Sequence, residues 1–173
     1  MKIGVVSDTH LTDKTQELPK NMLDDFKSAD MVIHAGDLVD FSVIERLKKV
    51  CPKVIAVYGN MDPFEVRSKL PKKEIINVGK FRIGVFHGYG ASANLIDLLT
   101  GIFKNDKVDI VIFGHSHSGL NQEKDGVIFF NPGSPTDKIY AKDNTYGIIE
   151  LNDKIELKLI KLYLWINSGH LGG

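Results

Sequence analysis

A chain of 173 residues lies within the size of a single domain, and one of that length buries about 70% of its unfolded surface. Its 22 lysines and arginines balance its 22 aspartates and glutamates, so no basic field exists for bulk attraction to nucleic acid or an anionic membrane. The single cysteine, Cys51, excludes an internal disulfide and reads as a small buried hydrophobe.

In chain order, the first predicted element is a strand over residues 2–7 that runs into Asp8-Thr9-His10. Leu18, Met22 and Phe26 recur at helical spacing and a proline suits a first turn, so residues 19–28 read as a helix. Met31–His34 is the second strand and leads to Gly36-Asp37. A helix over Ser42–Val50 turns Ile44, Leu47 and Val50 inward. The third strand, residues 53–58, leads to Gly59-Asn60. This βαβαβ alternation argues for a parallel sheet.

The second half changes character. Residues 74–78 and 81–87 flank Gly79-Lys80, a hairpin signal, and the later strand ends on His87-Gly88. A helix over residues 92–104 carries Leu95, Leu98, Leu99 and Ile102 on one side. A strand over residues 109–113 then delivers Gly114-His115-Ser116-His117, and two more hairpins turn at Asp125-Gly126 and Asn152-Asp153. The mixture predicts an α/β fold, two mixed sheets packed face to face with flanking helices, as one domain over residues 1–165. Residues 166–173 are polar and glycine-rich and read as a disordered tail or a cloning scar, which puts His170 outside any site. No run approaches about 18 apolar residues, so no membrane span is expected. The chain opens on a strand pattern rather than a signal core, so a cytoplasmic location is expected.

Five apolar runs thus end on oxygen and imidazole ligands, and four of the six histidines lie in these motifs. In open α/β sheets, ligands bind beyond the carboxyl ends of the strands. Two divalent ions about 3.5–4 Å apart can clamp an in-line displacement at phosphorus and lower the pKa of a bound water to roughly 7. Holding them that close calls for a bridging carboxylate. A mixed Asp, His and Asn set suits Mn, Fe, Co, Ni or Zn better than an all-oxygen magnesium site. The expected cofactors are therefore two divalent ions of that group.

In the order D-x-H, G-D, G-N, H-G, G-H-x-H, the motifs resemble those of the calcineurin-like metallophosphoesterases, from residue 2 to about residue 134. The small size and the Asn131-Pro132-Gly133-Ser134 turn look most like the short bacterial and archaeal phosphodiesterases of that superfamily. The resemblance implies that Asp8, His10 and His117 hold one metal, that Asp37 bridges, and that Asn60, His87 and His115 complete the second. It also implies catalytic roles for Asp37, Asn60 and His115. Substrate contacts would come from Asn60, Asn131 and Ser134, although the last two could instead brace His117 from their turn.

The departures from the family bear on substrate. Many relatives carry a histidine directly after the metal-binding asparagine, where it protonates the leaving oxygen; this chain has Met61. Asp62, which partners that histidine in those relatives, reads here as a turn cap before Pro63. Phosphoprotein phosphatases of the family have an arginine after G-D that clamps a dianionic monoester, and residues 36–41 contain none. Both absences favour a small phosphodiester with a good leaving group. His34, inside the second strand, reads as a hydrogen-bonded core histidine. Specificity is expected in the loops over residues 11–17 and 61–70.

Two alternatives stand beside the phosphodiesterase. One is a phosphomonoesterase. The other is a non-catalytic interaction scaffold, because the retromer complex of eukaryotic cells contains a small subunit of this fold that serves chiefly in protein assembly. All seven ligand positions are filled, Asp37 included, which favours an enzyme. No membrane or nucleic-acid partner is indicated, and a homo-oligomer is compatible with the sequence.

Overall fold

The computed structural model describes residues 1–12 and 16–163. The proposed tail with His170, and part of the 11–17 loop, lie outside the described residues.

The strands β1 (Lys2–Val6), β2 (Met31–His34) and β3 (Val54–Ala56) alternate with helices α1 (Lys20–Phe26) and α2 (Ser42–Val50). A one-turn helix α3 (Phe64–Arg67) follows, then β4 (Lys73–Val78), β5 (Phe81–Phe86), α4 (Leu95–Phe103) and β6 (Ile110–Ile112). The chain closes with β7 (Leu120–Lys124), β8 (Val127–Asn131), β9 (Thr145–Leu151) and β10 (Ile155–Lys161). The boundaries fall within a residue or two of the periodicity reading. The exceptions are α3, which lies in an expected loop, and the long helix, whose first turn (Ser92–Asn94) is a 3₁₀ turn.

Two mixed five-stranded sheets result, with strand orders β10-β9-β1-β2-β3 and β4-β5-β6-β8-β7. β1, β2 and β3 are parallel, with Val6 beside His34 and His34 beside Ala56. β5, β6 and β8 are parallel in the second sheet, with Val85 beside Ile112. These registers bring the carboxyl ends of the parallel strands level, which creates the rim on which the ligand motifs sit.

Alternation along each strand divides the core into three layers. Ile3, Val5, Met31 and Ile33 of the first sheet meet Ile83, Val85, Ile110 and Ile112 of the second in a buried cluster between the sheets. Val6 and Val32 face the other way, onto Met22 and Phe26 of α1 and Val43, Ile44 and Leu47 of α2. Leu95, Leu99 and Phe103 of α4 cover Phe86, Val111 and Phe129 on the far side. Strands buried on both faces read as unbroken apolar runs, which is why the periodicity located them. Gly4 is a packing requirement, because a Cβ there would stand 2.5 Å from the Phe26 ring.

Cys51 is buried, as its composition context suggested. Among the described residues, no helix is long and apolar enough to cross a membrane.

Candidate metal centre

The ligand motifs occupy tight turns that lead away from the strand ends. Asp8, His10, Asp37, His115 and His117 all have positive φ, between 43° and 71°. Side chains with a Cβ adopt that region at a cost of roughly 1–2 kcal/mol each. The strain is therefore concentrated on the ligand set and is supported by bonds between loops. Asp8 N donates to Gly36 O at 3.0 Å and His10 N to Asp37 O at 3.1 Å. The loops also approach so closely that a Cβ on Gly59 would stand 2.2 Å from Asp37 Oδ1.

Five side chains converge tightly. Asp8, His10 and His117 form one group, and Asp8, Asp37 and His87 another, each with ligand atoms within 4.8 Å of one another. His117 Nε2 is 3.3 Å from Asp8 Oδ1 and 3.3 Å from His10 Nε2. His10 Nε2 is 3.7 Å from Asp37 Oδ2, and His87 Nε2 is 3.1 Å from that same oxygen. Asp8 is thus shared between the two groups, a role that the sequence reading gave to Asp37 alone.

The hydrogen bonds fix which nitrogen of each ring points inward. His87 Nδ1–H donates to Ala35 O at 2.8 Å, which leaves the Nε2 lone pair facing the Asp8 and Asp37 carboxylates. Among the described residues, His87 Nε2 is the buried side-chain polar atom without a hydrogen-bond partner. His117 Nδ1–H donates to Asp137 Oδ2, so its Nε2 also points inward. A buried imidazole nitrogen aimed at two carboxylates is costly unless the ring is protonated or a metal cation sits between them. Against the opposing effect of burial, Asp37 and Asp8 push the His87 pKa up. The donor set is that of a borderline divalent metal.

Asn60 and His115 stand at the exposed edge and contact each other. His115 Nε2–H donates to Gly90 O at 2.8 Å, and Nδ1 lies 2.9 Å from Asn60 Oδ1. In the amide orientation recorded, these two atoms turn lone pairs toward one another, as two ligands of one cation would. The His115 amide N–H donates to both Asp8 oxygens at 3.1–3.2 Å, which ties the fifth loop to the first. All seven predicted ligands therefore reach one rim, although only five enter the closely spaced groups.

Electrostatics follow the geometry. Burial alone would raise the Asp37 carboxyl, but His87, the Met61 amide and His10 outweigh it and hold it below the ordinary carboxylate value. The Asp8 carboxylate, followed by Asp137 against the opposing effect of burial, pushes His117 up to about 9. Burial lowers His34 to about 3 and keeps it neutral. Gly36 N–H donates to His34 Nδ1 at 3.2 Å, so the ring proton is on Nε2 and donates to Thr9 Oγ1 at 3.1 Å. His34 is the hydrogen-bonded core histidine expected, placed directly beneath the first two ligand loops.

Asp62 does more than cap a turn. Its carboxylate accepts from the amides of Asp37 (3.0 Å), Val39 (2.7 Å) and Gly59 (2.7 Å), joining the second and third ligand loops. Arg67 of α3 donates to the carbonyls of Asn60 and Asp62, anchoring the same loop from its other side.

Asn131 and Ser134 are fully buried beneath the site, a correction to their expected contact with substrate. Asn131 Nδ2 donates to Gly114 O and Ser116 Oγ, and its Oδ1 accepts from Gly133 N. Ser134 Oγ donates to Asp8 O at 2.7 Å and accepts from the amide of Asp137 at 3.0 Å. Their polar atoms are spent bracing the ligand loops, the second of the roles weighed for them.

Sequence reasoning missed Asp137, 20 residues from the histidine that it holds. An acidic residue in a turn gives no local signal of such a partner. Above the ligands opens a cleft of about 710 Å³ whose walls include Asp37, Asn60, His115, His117 and Tyr140.

Comparison with known proteins adds to this geometry. The family profile of the calcineurin-like phosphoesterase superfamily domain matches residues 1–154. The chain is 40% identical over 167 residues to a probable metallophosphoesterase of Methanocaldococcus jannaschii, covering 94% of this chain and 82% of that protein. It is 32% identical over 140 residues to vacuolar protein sorting-associated protein 29 of Schizosaccharomyces pombe, covering 79% of this chain and 73% of that one. The solved structure of an archaeal phosphodiesterase matches with a TM-score of 0.76 at 28% identity, over 94% of this chain and 100% of that chain.

Proposed function

The chain belongs to the calcineurin-like phosphoesterase superfamily, and from that premise we propose that it hydrolyses small phosphodiesters with two divalent metal ions. Asp8, His10 and His117 would hold one ion, Asn60, His87 and His115 the other, and Asp37 would bridge. When bound, the ions supply an activated water and positive charge for the oxygens of the reacting phosphate.

The chain's own side chains orient that chemistry. Met61 N–H donates to Asp37 Oδ1 at 2.7 Å and turns Oδ2 toward His10 and His87. Asp137 and Ala35 O fix the ring orientations of His117 and His87, the outer support that metal-binding histidines require. Asn60 and His115 line the cleft at its exposed edge, where the Asn60 amide N–H would meet an entering phosphate oxygen. The observation that carries the reading is the unpartnered His87 Nε2, buried against two carboxylates.

A diester preference rests on what the cleft wall offers. Met61 is 59% exposed on that wall and donates no proton, and residues 36–41 supply no arginine to a monoester dianion. Similarity to an archaeal phosphodiesterase supports the same choice. The test is product analysis of purified, metal-reconstituted protein against matched linear and cyclic diesters and monoesters. Diesters with good leaving groups should turn over fastest, and a monoester preference would overturn the assignment.

The scaffold reading keeps one observation in its favour, the exposed apolar side chains at the cleft mouth, with similarity to vacuolar protein sorting-associated protein 29 beside it. The complete ligand set weighs toward the hydrolase. A reconstituted protein inert on every diester, yet binding a protein partner through this face, would reverse that order.

A further inference from the structure

Seven large apolar side chains are exposed among the described residues, and three of them, Met61, Ile139 and Tyr140, line the cleft that contains the ligand set. Tyr140 is 76% exposed, yet its ring stands edge-on to the His117 ring, with centroids 5.8 Å apart and planes at 81°. Its position is fixed from below. The Asp137 carboxylate accepts amide N–H bonds from Ile139 (2.8 Å), Tyr140 (3.1 Å) and Ala141 (3.0 Å) while also holding His117. One carboxylate therefore sets both a metal-ligand candidate and the apolar wall beside it.

At about 710 Å³ the cleft is of the size that encloses a drug-sized ligand, with room well beyond a phosphate group. Such sites are lined by apolar and aromatic groups around polar ones, and here Leu11, Met61, Ile139 and Tyr140 supply the apolar part beside the ligand residues, with Lys138 next to Ile139. Three side chains fall short of the area of roughly 1,000 Å² that a stable protein interface needs. A small ligand that reaches from the metal ligands onto Tyr140 uses the same surface completely.

We propose that Tyr140, with Ile139 and Met61, forms a subsite for a planar aromatic ester arm of the substrate, an aryl group or a nucleobase. The ring stacks on Tyr140 while the phosphate lies at the His10 and His117 end of the cleft. This rests on the phosphodiesterase reading and names its substrate class. Stacking against a tyrosine contributes roughly three- to tenfold in affinity.

Binding of phenylphosphonate and methylphosphonate to the zinc-loaded full-length protein, measured by calorimetry, tests the proposal without turnover. The wild type should bind the phenyl compound about three- to tenfold more tightly. Tyr140→Ala should bring that ratio to about one while leaving methylphosphonate affinity unchanged, and Tyr140→Phe should preserve it. A thermal melt checks that the variants fold, as the exposure of Tyr140 leads one to expect. Adenosine 5′-monophosphate against ribose 5-phosphate separates the two sources. A Tyr140-dependent preference in both pairs assigns a nucleobase, and one confined to the phenyl pair assigns a simple aryl ester. Equal affinities for the two phosphonates in the wild type, or a ratio that survives Tyr140→Ala, would overturn the subsite while leaving the hydrolase intact. Binding of neither phosphonate would overturn the subsite, and absence of diester hydrolysis in the same reconstituted protein would overturn the hydrolase reading with it.

Discussion

Removing Asp137 tests how the site is held together. Asp137→Ala deletes the acceptor of His117 Nδ1–H and of three backbone amides. Loss of such an outer partner typically weakens metal binding 10- to 100-fold, about 1.4–2.8 kcal/mol. A second effect opposes it near neutral pH. Asp8 and then Asp137 push His117 up to about 9, so below that pH a proton competes with the metal for the ring. Wild-type affinity should therefore climb by about tenfold per pH unit from 7 toward 9 and then level off. In Asp137→Ala the ring releases its proton at lower pH, so the climb ends sooner. The gap between the two proteins should be widest at pH 9 and narrower at pH 7. Zinc titrations against a competing chelator at pH 7, 8 and 9 would measure it. Parallel pH profiles, or equal affinities at pH 9, would refute the claim that Asp137 orients His117 for metal. Asp137→Asn, which keeps an acceptor oxygen for the loop amides, should fall between the two.

Three more expectations follow from the same geometry. Asp37→Ala should lower diester turnover by at least about a hundredfold, since even outer-sphere losses cost 10–100-fold; unchanged circular dichroism with near-normal turnover would tell against Asp37 as the bridge. His34 is lowered to about 3 by burial, so it stays neutral in the fold while the unfolded chain protonates near 6.5. Its contribution is thus complete above about pH 6.5 and is lost as pH falls toward 3, roughly 3 kcal/mol by pH 4. Urea unfolding of wild type and His34→Gln should show a shallower acid loss in the variant, and equal slopes would remove His34 from the account. Met61→His should speed esters with poor leaving groups more than nitrophenyl esters, given that general acid catalysis contributes about 10²–10⁴-fold. The readout is log rate against leaving-group pKa, and a shallow wild-type slope would mean that another group already donates the proton.

The parts of this molecule that local sequence could reveal are those in which a pattern and its consequence lie close together. β1, β2, β3, β5 and β6 are buried strands that end on ligand motifs, so apolar runs marked both the sheets and the rim. The connections between loops were not legible in this way. Asp62 acts on Asp37 from 25 residues away, and Ser134 on Asp8 from 126. Asn131 and Ser134 could be recognised as a turn, yet only the packed fold shows that their polar atoms are consumed beneath the ligands. The positive φ of Asp8, His10, Asp37, His115 and His117 emerges only from the packed loops, because enrichment of aspartate and histidine in that region is too weak to mark single positions. α3 is too short for periodicity to detect, although its Arg67 secures the Asn60 loop.

The most direct test of the central claim is a metal titration of chelator-stripped protein, with bound ions counted by elemental analysis and diester hydrolysis followed at each addition. Because two ligand groups meet at Asp8, with Asp37 proposed as the bridge, activity should be absent at zero ions and should recover with Mn, Co, Ni or Zn. It should reach its plateau at two ions per chain. Undiminished turnover in verified metal-free protein, or full turnover at one ion per chain, would contradict it.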